Sequence, residues 1–192
     1  AVLKEGKRKA VVTPRVHGFT VVYDEACDTQ DDSEIYEVGS LLSRELKCPV
    51  LASLVHDDDI LWLGLYEAGE LTAAYESTGN TAGIIRISRT FGSFLAIPVI
   101  WLVMNLPYIV FESARHWAFV KLVGLPRWSV FAGYRYVVEE FPSAIDLPRE
   151  QWASTHELPA LPEPTVSPEI DAKMREALKP TFRNRMRGIV NL

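Results

Sequence analysis

Apolar residues recur along this chain with two different periods, and the clearest pattern lies between Val50 and Ser77. The stretch VLASLVHDDDILWLGLYEAGELTAAYES reads as three short strands joined by the tight turns HDDD and EAGE. In the middle strand, Ile60 to Tyr66, side chains alternate between Ile60, Trp62 and Tyr66 on one face and Leu61, Leu63 and Leu65 on the other. A strand that is apolar on both faces belongs in a sheet covered on both sides. Gly69 stands where a short hairpin loop requires left-handed backbone.

The other segments arrange themselves around this meander. Val16 to Asp24 alternates as a strand and leads into the acidic loop EACDTQDD. Ser33 is placed to cap a helix carrying Ile35, Val38, Leu42 and Leu46 at helical spacing, and Cys48-Pro49 ends it. Gly79 and Asn80 close the meander, and a short helix is expected over residues 82–90. No charge occurs from Thr90 to Phe111, but Gly92, Ser93, Pro98, Asn105 and Pro107 interrupt the run. Two buried helical pieces are predicted there, over 97–104 and 107–123, with Trp101 in the core. Gly124 and Pro126 stop the second piece, and Trp128 to Val138 alternates as a further strand. Residues 1–10 read as a mobile basic arm. After Glu140 seven prolines dilute the pattern, so an extended wrapping tail is expected, with a short helix opening at Ser167 and striped by Ile170, Met174 and Leu178. The architecture predicted is an α+β domain over 1–140, its mostly antiparallel sheet centred on the meander under helices, and a tail over 141–192.

Charge changes this picture more than composition does. The net charge of −5 combines +4 over residues 1–20, −12 over 21–80, zero over 81–166 and +3 over 167–192. An acidic half of this kind repels phosphates, which argues against nucleic acid and suits a basic protein surface. Cys27 and Cys48 form neither a metal-ligand spacing nor a disulfide framework, and no apolar leader follows the first basic residues, so a reducing cytoplasm is the expected setting.

Candidate chemistry is sparse. His56, Asp57, Asp58 and Asp59 are the densest polar cluster, able in principle to hold a hard cation or to use His56 as a base. Alternate residues of an extended turn point apart, however, and aspartates in turns commonly bond their own backbone, which explains the cluster more simply. Glu112, Arg115 and His116 share a helix without forming a metal-protease motif, and read as a surface ion pair with a neighbour. Cys27 lies among acids that raise a thiol pKa, so it makes a poor nucleophile. Neither a nucleophile elbow nor a glycine-rich phosphate cradle is present, and neither cofactor nor metal is expected.

Three stretches, GFTVVYDEACDTQD, LVHDDDILWLGLYEAGELTAAYES and ESARHWAFVKLVGLPRWSVFAGYRY, are together similar to a set of uncharacterised bacterial cytosolic α+β proteins. The resemblance covers roughly residues 18–138 and implies the same fold class without transferring any catalytic residue. The leading expectation is a non-catalytic protein-binding module, immunity-type or regulatory, that offers an acidic surface to a basic partner. Its binding residues would be Asp24, Glu25, Asp28, Asp31 and Asp32, with His56, Asp57, Asp58 and Asp59. One alternative is a small metal-dependent or acid–base enzyme built on His56 and the three aspartates; another is membrane association through residues 91–111, although a membrane is not the expected partner.

Overall fold

The computed structural model describes residues 2–92, 94–107, 111–130 and 133–158. These fall in one compact unit, Ala1–Pro159; a second unit, Ala160–Leu192, lies outside the described residues, and so does the expectation of a helix from Ser167.

The fold is α+β with two three-stranded antiparallel sheets. One is the meander: β3 (Val50–His56), β4 (Ile60–Glu67) and β5 (Glu70–Glu76), in the order β3-β4-β5. Ala68 and Gly69 both have positive φ, 52° and 92°, as a two-residue hairpin turn demands. Leu61, Leu63 and Leu65 point from β4 into the main core. There they meet Ile84 and Ile87 of α3 (Ile84–Phe91), Ile100 and Met104 of α4 (Ile97–Met104), and Phe119, Val120 and Val123 of α5 (Glu112–Val123). Tyr66 is buried on the opposite face beneath α2 (Asp32–Leu46), where Gly39 lets the helix approach the ring. A Cβ at Gly39 would fall 2.6 Å from Tyr66. A bulge between Leu65 and Tyr66 adjusts the register at that point.

The other sheet departs from expectation. It joins β1 (Ala10–Val12), β2 (Val22–Asp24) and β6 (Ala153–Ser154) in the order β2-β1-β6. The presumed basic arm is therefore structural: α1 (Val2–Glu5) buries Leu3, and Ala10 and Val11 are inaccessible to solvent. The strand expected over Val16–Asp24 is shortened to Val22–Asp24, because His17 and Gly18 turn the chain between Val16 and Phe19. Residues 141–158 also belong to the first unit, since Ile145 and Trp152 share a buried cluster with Val11, Tyr23, Trp128, Tyr134, Val137 and Val138.

Two further differences have local causes. In the interval expected as a strand, Arg127–Ser129 form a 3-10 turn and Tyr136–Glu140 a π turn. Both carboxylate oxygens of Asp28 accept hydrogen bonds there, from the backbone N–H groups of Tyr134 and Arg135 at 2.7 Å, and this favours a helical start. At α2 the cap is Asp31, whose Oδ1 accepts from the N–H of Ser33 at 2.8 Å and from its hydroxyl at 2.6 Å.

Candidate functional site

Asp24 closes β2 and is buried, so its carboxylate needs a partner. Arg8 supplies one in two-pronged fashion, donating from Nε and Nη2 at 2.8 Å each. The same guanidinium reaches Glu34 at 2.8 Å and lies 3.5 Å from Glu37. Its hydrogen bonds to Asp24 hold the Arg8 pKa above the ordinary value. Lys9 pairs with Glu25 at 2.5 Å. Asp28 caps the helical start at Tyr134, and Asp31 caps α2, which lowers the pKa of Asp31 through the Ser33 hydrogen bonds. Thus four of the five acids in the candidate binding loop already have partners inside the molecule. Burial and neighbouring Asp24 push the Cys27 thiol up to about 12, consistent with an unreactive side chain.

The HDDD turn also does structural service. Asp57 and Asp58 adopt left-handed backbone, with φ of 49° and 62°, which aspartate tolerates better than most residues. Asp58 then caps α5 from across the chain: its carbonyl accepts from the N–H of Glu112 at 3.0 Å and its Oδ1 from that of Ser113 at 2.6 Å. His56 Nδ1 meets Gln30 Oε1 at 2.5 Å, and its Nε2 is 3.5 Å from Asp57. The Gln30 contact brings the loop bearing Asp31 and Asp32 beside the turn bearing Asp57, so these three exposed acids share one neighbourhood. Among the described residues, no three histidine, cysteine or carboxylate groups converge as a metal-binding set. An open concavity of about 320 Å³, lined by Ser43, Arg44, Lys47, Cys48, Pro49, Glu67 and Ala68, lies at the opposite end of the meander from His56.

The feature that sequence reasoning missed lies on α4. Ile100 and Met104 enter the core, but Val99, Trp101 and Leu102 are exposed. Phe94 at 79% and Leu95 at 85% precede them, and Leu106 and Phe111 (60%) follow. Trp101, expected in the core, keeps 49% of its surface in solvent. Isolated apolar residues on a surface are ordinary, but here seven fall in a single 18-residue interval.

The inner side of this element is firmly held. Arg115 of α5 is buried and donates to the carbonyls of Val103 at 3.2 Å, Met104 at 2.6 Å and Leu106 at 3.0 Å. Its Nε bonds Glu112 at 2.8 Å, so the pair expected on a helix surface is instead interior. The Tyr75 hydroxyl donates to the Met104 carbonyl at 2.6 Å, which leaves the last turn of α4 well supplied with donors. His116, one residue on from Arg115, is also buried, and desolvation lowers its pKa to about 4.

Fold and site together define a small α+β protein with an exposed apolar run whose inner side is held by Arg115 and Tyr75. Comparisons with protein-family models, curated proteins and solved structures each return no match.

Proposed function

We propose that this chain is a non-catalytic interaction module that docks through the outer face of α4 and its flanks, residues 94–107 and Phe111. The observation carrying this reading is the exposure of Phe94, Leu95, Val99, Trp101, Leu102, Leu106 and Phe111 on an element whose inner side is fixed by Arg115 and Tyr75. Exposing so much apolar surface costs solubility unless a partner covers it. A cytoplasmic setting belongs to this proposal, since the free thiols Cys27 and Cys48 suit a reducing compartment.

The test compares the full chain with Leu95→Asp/Leu102→Asp in extracts of its own cell, by native size and sedimentation. The wild type is expected to travel with a larger body and the variant alone, with the same circular dichroism. A wild type that travels as a free monomer overturns the reading.

A second reading keeps the basic protein partner, whether regulatory or immunity-type, and locates its contact at Asp31, Asp32 and Asp57 around the Gln30–His56 contact. That proximity favours it. Asp24, Glu25 and Asp28 contribute less to such a surface, because Arg8, Lys9 and two backbone amides already engage them.

A further inference from the structure

We infer that the occupant of the α4 face is the surface of a membrane rich in anionic lipid, on which the protein lies without crossing; this rests on the docking reading above. Length decides against crossing for this element. The eight residues of α4 span about 12 Å, against roughly 30 Å of hydrocarbon. No described helix is long and apolar enough to cross a membrane. An interfacial helix needs an apolar face, satisfied backbone and basic neighbours. The first is the exposed run, which carries no charged residue from Thr90 to Phe111 and includes one exposed tryptophan and two exposed phenylalanines, Phe94 and Phe111.

Backbone satisfaction is the second observation. A helix end immersed in an apolar phase cannot give its free carbonyls to water. In α4 the carbonyls of Val103, Met104 and Leu106 are bonded by Arg115, that of Met104 also by Tyr75, and that of Trp101 by the Asn105 side chain at 2.8 Å. Arg115 and Tyr75 donate from inside the protein, so these carbonyls are prepared for loss of water.

Charge is the third observation. Residues 81–130 hold five bases against one acid. Arg115 is paired with buried Glu112, Arg86 with Glu67 and Arg127 with Asp146, which leaves Arg89 and Lys121 as the exposed bases without an acidic partner among the described residues. Arg89 lies five residues before Phe94, and neither it nor Lys121 makes an ion pair among the described residues. The acids are concentrated elsewhere, over 21–80. Arg89 and Lys121 beside the apolar run fit anionic headgroups.

The experiment is flotation of the full chain with vesicles of phosphatidylcholine alone and with about one third phosphatidylglycerol, at low and high salt. Binding to the anionic vesicles is expected, at least ~10-fold weaker without phosphatidylglycerol or in 0.5 M salt. Leu95→Asp/Leu102→Asp should weaken it at least ~10-fold with unchanged circular dichroism, because both leucines are exposed. Arg89→Glu should weaken it several-fold while retaining the apolar face. Absence of binding by the wild type, or equal binding to both vesicle types, overturns the inference. If vesicles fail but sedimentation shows a dimer that the leucine variant abolishes, the lipid inference falls and the docking reading stands. If the wild type neither binds vesicles nor associates with any partner, both fall.

Discussion

Replacing Arg8 by Met asks how much of the acidic charge over residues 21–80 is neutralised within the fold. The Arg8 and Asp24 side chains are 8% and 2% exposed, and two hydrogen bonds of 2.8 Å join them. Without Arg8, Asp24 keeps one backbone donor, the N–H of Ala26 at 3.1 Å, and otherwise becomes a buried, unpaired carboxylate. Breaking such a pair costs about 3–5 kcal/mol, and a Coulomb term of about 4 kcal/mol at 4 Å in a medium of effective dielectric near 20 gives the same scale. Glu34 and Glu37 are 35% and 66% exposed, so each adds no more than about 1 kcal/mol. The expected loss for Arg8→Met is therefore about 4 kcal/mol by urea denaturation at neutral pH. Arg8→Met/Asp24→Leu removes both charges and should recover at least half of that loss, a non-additivity of about 2 kcal/mol. A loss below about 1 kcal/mol for Arg8→Met would refute the reasoning and return Arg8 to a solvated arm.

Three further outcomes are expected. His116 is neutral when folded, with a pKa of about 4 against 6.5 for the free side chain, so acidification protonates the unfolded chain first and stability falls. Between pH 7.5 and 5 the wild type should lose about 2 kcal/mol more than His116→Leu in paired denaturation curves. Asp58→Ala should cost about 1–2 kcal/mol through the lost α5 cap, whereas Asp57→Ala should change thermal unfolding by less than about 0.5 kcal/mol. Trp101→Asp should remain folded by circular dichroism, because that side chain is half exposed; unfolding would place it in the core after all.

What could be read in the sequence was whatever local pattern controls. The meander was legible because alternation over β4 and the left-handed need at Gly69 are properties of neighbouring residues. The second sheet was not, because β1 has three residues and β6 two, too short for a period, and the pairing Val11–Ser154 spans most of the described chain. Arg8 lay in a run of bases, and nothing local announces that its partner is Asp24. The alternation from Trp128 to Val138 suggested a strand, but Asp28, more than 100 residues away in sequence, supplies the cap that starts a helical turn there (|i−j| of 106 to Tyr134). The candidate residues were legible as chemistry and obscure as roles, since an acidic side chain looks alike whether it caps a helix, pairs with a buried arginine or faces a partner. For α4, apolarity on every side argued for burial, while of its eight residues only Ile100 and Met104 are fully buried.

The central claim is that contact is made by the α4 face, and site-specific photo-crosslinking in the cell of origin tests it most directly. A photoreactive residue would replace Leu102 in one form of the full chain and Asp32 in another, both exposed positions. The account predicts abundant adducts from position 102, on lipid if the membrane inference holds, and few from position 32. Adducts from position 32 on a basic protein, with none from position 102, would contradict the account and make the acidic neighbourhood the docking surface.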